Sequence, residues 1–231
     1  MVKDLSVNLC GLRLQNPVIP ASGTFGFGLE LADTLDLDVL GAISLKGTTR
    51  EARYGNPVPR IAEASGGMLN AVGLQNPGID VLVNEKIPAL RKIYRQGVIA
   101  NISGFSVEEY RECCAKADAC EGIDIIEVNV SCPNVHGGGI AFGTSAKAAA
   151  EVTSAVKTVC HNKPVFINTI MCNKLTIGWN SIQFFVTIHT VIKCASIMNM
   201  PKENSICGRV EQFQIAISSF STTRNKNKND K

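Results

Sequence analysis

The 231-residue sequence has no paired-cysteine motif and no apolar run of membrane-spanning length. Its nine cysteines stand at 10, 113, 114, 120, 132, 160, 172, 194 and 207, an odd number with no CxxC pair and no second cluster of zinc ligands. That pattern argues against a disulfide framework or a zinc ribbon and for free thiols in a reducing cytosol, most of them small buried hydrophobes. The first fifteen residues hold neither a cationic n-region nor an apolar h-region, so no export is expected and a cytoplasmic setting is. The longest late stretch without Asp, Glu, Lys or Arg, Leu175 to Ile192, is diluted by Asn180, Ser181, Gln183, Thr187 and His189 and reads as no membrane span.

Charge is scarce as well, at 19% of residues with a net +3. Residues 1 to 167 hold 15 basic and 17 acidic side chains, and residues 168 to 231 hold eight and three. The mild basicity belongs to the tail, and no nucleic-acid footprint is expected. Against these shortages, 45% of the residues are apolar, enough to bury the core of one domain of this length.

The stretch LSVNLCGLRLQNP alternates apolar and polar residues around Cys10-Gly11 and predicts an N-terminal β-hairpin. PVIPAS then reads as a first buried strand, followed by short apolar runs at Ala42 to Lys46, Val98 to Ser103, Ile123 to Ser131 and Val165 to Asn168. Helix-like segments lie between them at Ile79 to Gln96, Ser106 to Cys120 and Ser145 to Val159, with a capping-box spacing at Ser106 and Glu109. Strands alternating with helices predict parallel βαβ units. About five strands fit either the first part of a (β/α)8 barrel or an open doubly wound sheet, and periodicity does not choose between them.

In parallel α/β folds the ligand-facing residues are the polar ones at the C-terminal ends of strands. Here those are Ala21-Ser22-Gly23, Lys46-Gly47, Asn101 with Ser103, and Asn129, Ser131 and Cys132. A lysine ending an apolar strand is costly unless its ammonium meets an anion or an electron-rich carbonyl, although it can also snorkel from the rim. Asn101 and Asn129 serve either as turn formers or as amides gripping a planar heterocycle. Pro133 keeps Cys132 out of helical torsions at a loop start, and Gly137, Gly138 and Gly139 supply a pliable lid. An inert buried thiol is the alternative for Cys132, and a surface residue the better reading of His136. GTFGFG (Gly23 to Gly28) lacks GxGxxG spacing, and the segment Gly66 to Gly78 reads as a turn-rich loop whose backbone amides could approach a ligand.

The motifs PASGTFGFG, SLKGTT, GNPVPRIAE, GMLNAVGLQNPG, NISGFS and NVSCPNVHGGGIAFGT together resemble class 1 dihydroorotate dehydrogenases in order and spacing. The GLQNPG form is nearer the NAD-linked 1B catalytic subunit than the fumarate-using 1A type. The resemblance implies an FMN-bearing (β/α)8 TIM barrel that oxidises (S)-dihydroorotate to orotate in pyrimidine biosynthesis. It implies Cys132 as the catalytic base, which takes the proton from carbon 5 while hydride leaves carbon 6 for the flavin. Ala21, Ser22, Lys46, Gly47, Asn101 and Asn129 are then FMN contacts, and Lys46, Asn70, Ala71, Val72, Gly73, Leu74 and Asn129 hold the substrate. The expected partners are an electron-transfer subunit carrying FAD and [2Fe-2S], which passes electrons to NAD, and a second copy in the homodimer core of a heterotetramer. Two other readings are a flavin-dependent dihydropyrimidine dehydrogenase and a non-catalytic remnant that binds a partner.

The resemblance covers residues 1 to about 167, the expected FMN-binding barrel portion. Beyond it the chain reads NTIMCNKLTIGWNSIQFF, with Asn168 where the family carries a lysine. Residues 168 to 231 hold two of the 20 glycines and one of the nine prolines. This divergent tail is expected from truncation or a frame slip near residue 168. It predicts an incomplete barrel of about five strands, with roughly the last dozen residues disordered.

Overall fold

The computed structural model describes residues 4–65, 67–130, 142 and 145–168. The first described elements form the expected hairpin, β1 (Val7–Leu9) antiparallel to β2 (Leu12–Leu14) with Val7 opposite Leu14. Both turn residues, Cys10 and Gly11, have positive φ (51° and 92°), the backbone sign that a tight two-residue hairpin loop requires.

Pro17 to Ser22, read from the sequence as a strand, is not one. Pro17 and Pro20 have no N–H to give to a ladder. The segment still lies along the sheet, because the Val18 carbonyl accepts from the N–H of Gly41 (3.0 Å) and of Ala42 (3.5 Å). Ser22 opens a single helical turn instead, α1 (Ser22–Phe25).

The four remaining predicted strands are present and form one parallel sheet. They are β3 (Ala42–Ser44), β6 (Gly97–Ile102), β7 (Ile125–Asn129) and β8 (Val165–Asn168), in the order β3-β6-β7-β8. Between β3 and β6 the chain makes a second hairpin, β4 (Ile61–Ala64) with β5 (Gly67–Asn70), that the sequence reading did not anticipate. A helical rod follows, made of α2 (Ile79–Val81), a π-helical turn (Leu82–Lys86) and α3 (Ile87–Arg91). Pro88 at the start of α3 has no N–H for the carbonyl four residues back, and the helix widens just before it. Helices α4 (Val107–Ala119) and α5 (Ala146–Lys157) connect the later strands. This is the partial (β/α)8 barrel expected from the resemblance. Of the predicted tail, Asn168 ends β8 and residues 169–231 lie outside the described residues.

Both long helices start where the sequence places them. Ser106 Oγ accepts from the Glu109 N–H (3.2 Å), and Glu109 Oε2 reaches back to the Phe105 N–H (2.8 Å). Ser145 Oγ accepts from the Ala148 N–H (3.3 Å).

The period-2 alternation of the strands sorts the sheet into two unlike faces. Ile43, Leu45, Val98, Ala100, Ile102, Ile126, Val128 and Ile167 join Leu82, Leu90, Tyr110, Cys113, Cys114, Val152 and Val156 in the apolar core under the helices. The register pairs Ser44 with Ile99, Ile99 with Ile125, Asn101 with Glu127, and Asn129 with Asn168, so these side chains share the opposite, interior face. That face changes character along the strands, from Ile99 and Ile125 to Asn101, Glu127, Asn129 and Asn168.

Charged networks close the N-terminal ends of the strands. Arg91 donates to Asp124 Oδ2 (2.5 Å), the Gly122 carbonyl (2.9 Å) and the Gln96 carbonyl (2.7 Å), and Asp124 also accepts from the Val98 N–H (2.8 Å). Asp118, buried at the end of α4, accepts from the backbone N–H groups of His161, Asn162 and Lys163 (2.9–3.2 Å) and from the Asn162 amide (2.8 Å). It thereby shapes the entry to β8.

Candidate functional site

At the other end of the sheet, three short segments bring together side chains that the strand-end rule selected. Asn101, fully buried on β6, donates through Nδ2 to Ser22 Oγ on α1 (3.5 Å). Asn129, at the end of β7, donates through Nδ2 to Asn101 Oδ1 (3.4 Å). Gly47 closes the group: a Cβ built there would lie 3.0 Å from Leu74 Cδ1, 3.1 Å from Asn101 Oδ1 and 3.3 Å from Ser103 Oγ. Any side chain at 47 would therefore crowd Leu74, Asn101 and Ser103, which pack closely on this glycine. Among the described residues, Ser103 Oγ is a buried polar atom with no hydrogen-bond partner.

Backbone bonds hold these ends in place. The Lys46 N–H donates to the Gly26 carbonyl (2.8 Å), and Thr48 Oγ1 donates to the Lys46 carbonyl (2.9 Å). The Thr48 N–H donates to the Asn101 carbonyl (2.9 Å), and the Ser103 N–H to the Thr48 carbonyl (2.8 Å). Tyr110 of α4, itself fully buried, donates its hydroxyl to the Asn129 carbonyl (2.8 Å) and packs edge-on against the Phe142 ring at 5.7 Å. Lys46 is half-buried at the strand end, and Ala21 is half-buried ahead of α1.

The loop expected to hold substrate is split by the structure. Asn70 ends β5 opposite Ile61 and is exposed, as is Ala71, whose N–H donates to the Arg60 carbonyl (2.8 Å). The Val72 carbonyl accepts from the Asn56 N–H (3.0 Å). Gly73 and Leu74 turn back toward the sheet with φ of 75° and 59°. A leucine in the left-handed region costs about 1–2 kcal/mol, so its neighbours must impose the conformation. Leu74 is buried and faces Gly47. Cys132, with Ser131, Pro133, His136 and the three glycines at 137–139, lies outside the described residues.

Sequence reasoning missed three groups. Glu127 is a buried carboxylate on the interior face, accepting from Ser44 Oγ (2.9 Å) and Asn168 Nδ2 (2.7 Å). Its position two residues before Asn129 on a strand was the available signal. Asn76 was read only for its backbone, yet its side chain is buried and bonded to Thr49, Leu74 and Gly78. Arg53, whose guanidinium lies 4.5 Å from the Phe105 ring centroid, is a long-range pairing that has no sequence signature.

Cys113, Cys114, Cys120 and Cys160 form no disulfide. Cys113, Cys114 and Cys160 are buried as expected of small hydrophobes. Burial first, then Glu109, pushes the Cys113 thiol up to about 12, so it stays protonated at neutral pH. A hydrogen bond with Cys160, and burial, raise Cys114 as well. Neither is a nucleophile. No group of three or more His, Cys, Asp or Glu that could hold a metal occurs among the described residues, and no helix there is long and apolar enough to cross a membrane.

Residues 4–218 match the family model described as dihydroorotate dehydrogenase. The chain is 52% identical over 167 residues to "Dihydroorotate dehydrogenase B (NAD(+)), catalytic subunit" of Enterococcus faecalis (strain ATCC 47077 / OG1RF), covering 72% of this chain and 53% of that protein. It is 53% identical over 163 residues to the protein of the same name from Anoxybacillus flavithermus, covering 71% and 52%. The chain thus spans about half the length of the curated relatives it matches. Among solved structures, DHODH in complex with ferulenol from Eimeria tenella superposes with a TM-score of 0.58 at 18% identity, over 72% of this chain and 52% of that one. That likeness is one of fold.

Proposed function

Since the chain belongs to the dihydroorotate dehydrogenase family, we propose that it carries the flavin- and substrate-binding half of a catalytic subunit that oxidises (S)-dihydroorotate to orotate in pyrimidine biosynthesis, with FMN as its cofactor. The observation that supports this reading most directly is the convergence of Leu74, Asn101 and Ser103 on Gly47, with Ser22 and Asn129 bonded to Asn101. The group offers the donor set that a flat, polar-edged ring needs, with amides and hydroxyls for its edge and an apolar side chain beside them.

FMN, when bound, supplies a two-electron acceptor for the hydride of carbon 6. Every other task falls to the chain. Asn101 and Asn129 present amide donors and acceptors to ring edges, and Ser22 adds a hydroxyl beside them. Lys46 brings an ammonium to the end of β3, where negative charge develops during transfer. Leu74 excludes water from one face. Cys132 takes the proton from carbon 5. An ordinary thiol pKa near about 8.5 lets a neighbouring cation hold a useful thiolate fraction at neutral pH. Residues up to 167 form the binding portion in this reading.

The relatives' name, catalytic subunit, goes with a further subunit. For this chain we infer an electron-transfer partner carrying FAD and [2Fe-2S] that delivers electrons to NAD, a homodimer core, and a cytoplasmic setting. Purification of the full chain with excess FMN tests the central reading. The expected result is a yellow protein whose flavin absorbance bleaches on anaerobic addition of dihydroorotate. A colourless protein, or a yellow one that does not bleach, overturns it.

A further inference from the structure

Asn76 is not among the residues that meet at Gly47, yet its hydrogen bonds run to two of the segments that carry them. Its side-chain amide has two donor hydrogens and two acceptor positions. Nδ2 donates to the Leu74 carbonyl (2.9 Å) and to Thr49 Oγ1 (2.9 Å). Oδ1 accepts from the Thr49 N–H (3.1 Å) and the Gly78 N–H (2.9 Å). The Thr49 hydroxyl spends its one proton on the Glu51 carbonyl (2.7 Å), so it is the acceptor toward Asn76. All four capacities of the amide are used, and its backbone adds a reciprocal pair with Arg53 (2.8 and 3.0 Å).

The partners explain what this arrangement holds. Leu74, the carbonyl partner, is the non-glycine residue in left-handed backbone that forms the apolar wall over Gly47. It follows Gly73, where a Cβ would meet Asn56 at 2.6 Å, so the turn has no alternative path on that side. Thr49 follows Thr48, whose backbone is bonded to Asn101 and Ser103. One buried amide therefore spans from the wall to the strand ends that carry the amide edge.

We propose that Asn76 is a positioning residue for the substrate: by fixing Leu74 against Gly47 it holds segment 70–74 in the conformation that receives a planar pyrimidine. This rests on the functional reading above. An aspartate is the discriminating replacement, because it keeps both accepting bonds and loses both donating ones, which leaves the Leu74 carbonyl facing a carboxylate.

The test compares the full chain with Asn76→Asp in two measurements. Amide hydrogen exchange across residues 71–75, without ligand, should quicken about tenfold in the variant, as for the loss of one buried hydrogen bond. Titration of the FMN-loaded protein with orotate should show an affinity about tenfold weaker, with FMN affinity unchanged within about twofold. Thr49→Val, which removes one acceptor from outside the loop, should move both in the same direction and serves if Asn76→Asp does not fold. Unchanged exchange, or faster exchange with unchanged orotate affinity, overturns the positioning role. A wild-type chain that takes up FMN but no orotate overturns the functional reading instead, while the ligand-free exchange still decides whether Asn76 holds the loop.

Discussion

The two ends of the parallel sheet are built to opposite specifications. At the N-terminal end, Arg91, Asp118 and Asp124 are tied by short, charge-assisted bonds to backbone groups of several elements. At the C-terminal end, Ser22, Asn101 and Asn129 meet at 3.4–3.5 Å, the outer edge of hydrogen bonding, beside a buried hydroxyl without a partner and a leucine in left-handed backbone. Folding alone favours the first arrangement everywhere. Long bonds, an unsatisfied hydroxyl and a costly torsion gathered at one end indicate a surface shaped for something other than the chain itself.

The strongest way to break this contrast is at the proposed chemistry. Cys132→Ala in FMN-loaded protein should lower the anaerobic rate of flavin bleaching by about 10²–10⁴-fold without releasing the flavin. A rate within a few-fold of wild type would remove that thiol as the base. Gly47→Val should weaken FMN binding by about a hundredfold, since its added carbons push against Leu74 and Asn101. Flavin retention on gel filtration reads this directly, and an unimpaired yellow protein would mean that Gly47 lies apart from the cofactor.

At the opposite end the same logic predicts lost stability with retained binding. Asp124→Ala leaves the Arg91 guanidinium and the Val98 N–H without their carboxylate, and should cost about 2 kcal/mol in denaturant unfolding while FMN affinity stays put. A matching drop in FMN affinity would show that the two ends are not separable.

The smallest effect is one of pH. Burial acts to raise the Asp118 carboxyl, but the N–H groups of His161, Asn162 and Lys163 and the Asn162 amide outweigh it and hold the group below the ordinary 3.8. A pKa lower in the folded state adds stability that is complete above the unfolded value and is lost as pH falls through the folded one. Asp118→Asn should therefore melt lower than wild type at pH 6, and the gap should narrow as pH drops below about 4. A constant gap across that range would assign the effect to packing.

Several elements were legible because short stretches carry their own cause. Cys10-Gly11 between alternating residues predicts a hairpin turn, and Ser106 with Glu109 ahead of a helix predicts a cap, and the structure contains both. The β4–β5 hairpin was missed although Ser65-Gly66 between IAEA and GMLN is a turn signal, because glycines on both sides made the segment look like loop. The helix predicted to Gln96 ends at Arg91, where the guanidinium reaches forward to the Gln96 carbonyl and folds the following residues into turns. Among the site residues, Ser22, Gly47, Asn101 and Leu74 meet at the strand ends. Asn70 and Ala71 stand exposed at the foot of a hairpin, a separation that motif order along the chain does not encode.

Strand and helix periods, caps and turn residues act over a few positions, so they could be read directly, and with them the alternation that makes a parallel sheet. Which polar groups face one another depends on register between strands dozens of residues apart. Ser44 with Glu127, Asn101 with Ser22 and Asn76 with Thr49 became neighbours only when the backbone closed, because hydrogen bonds of about 3 Å are sensitive to distances that no local pattern specifies.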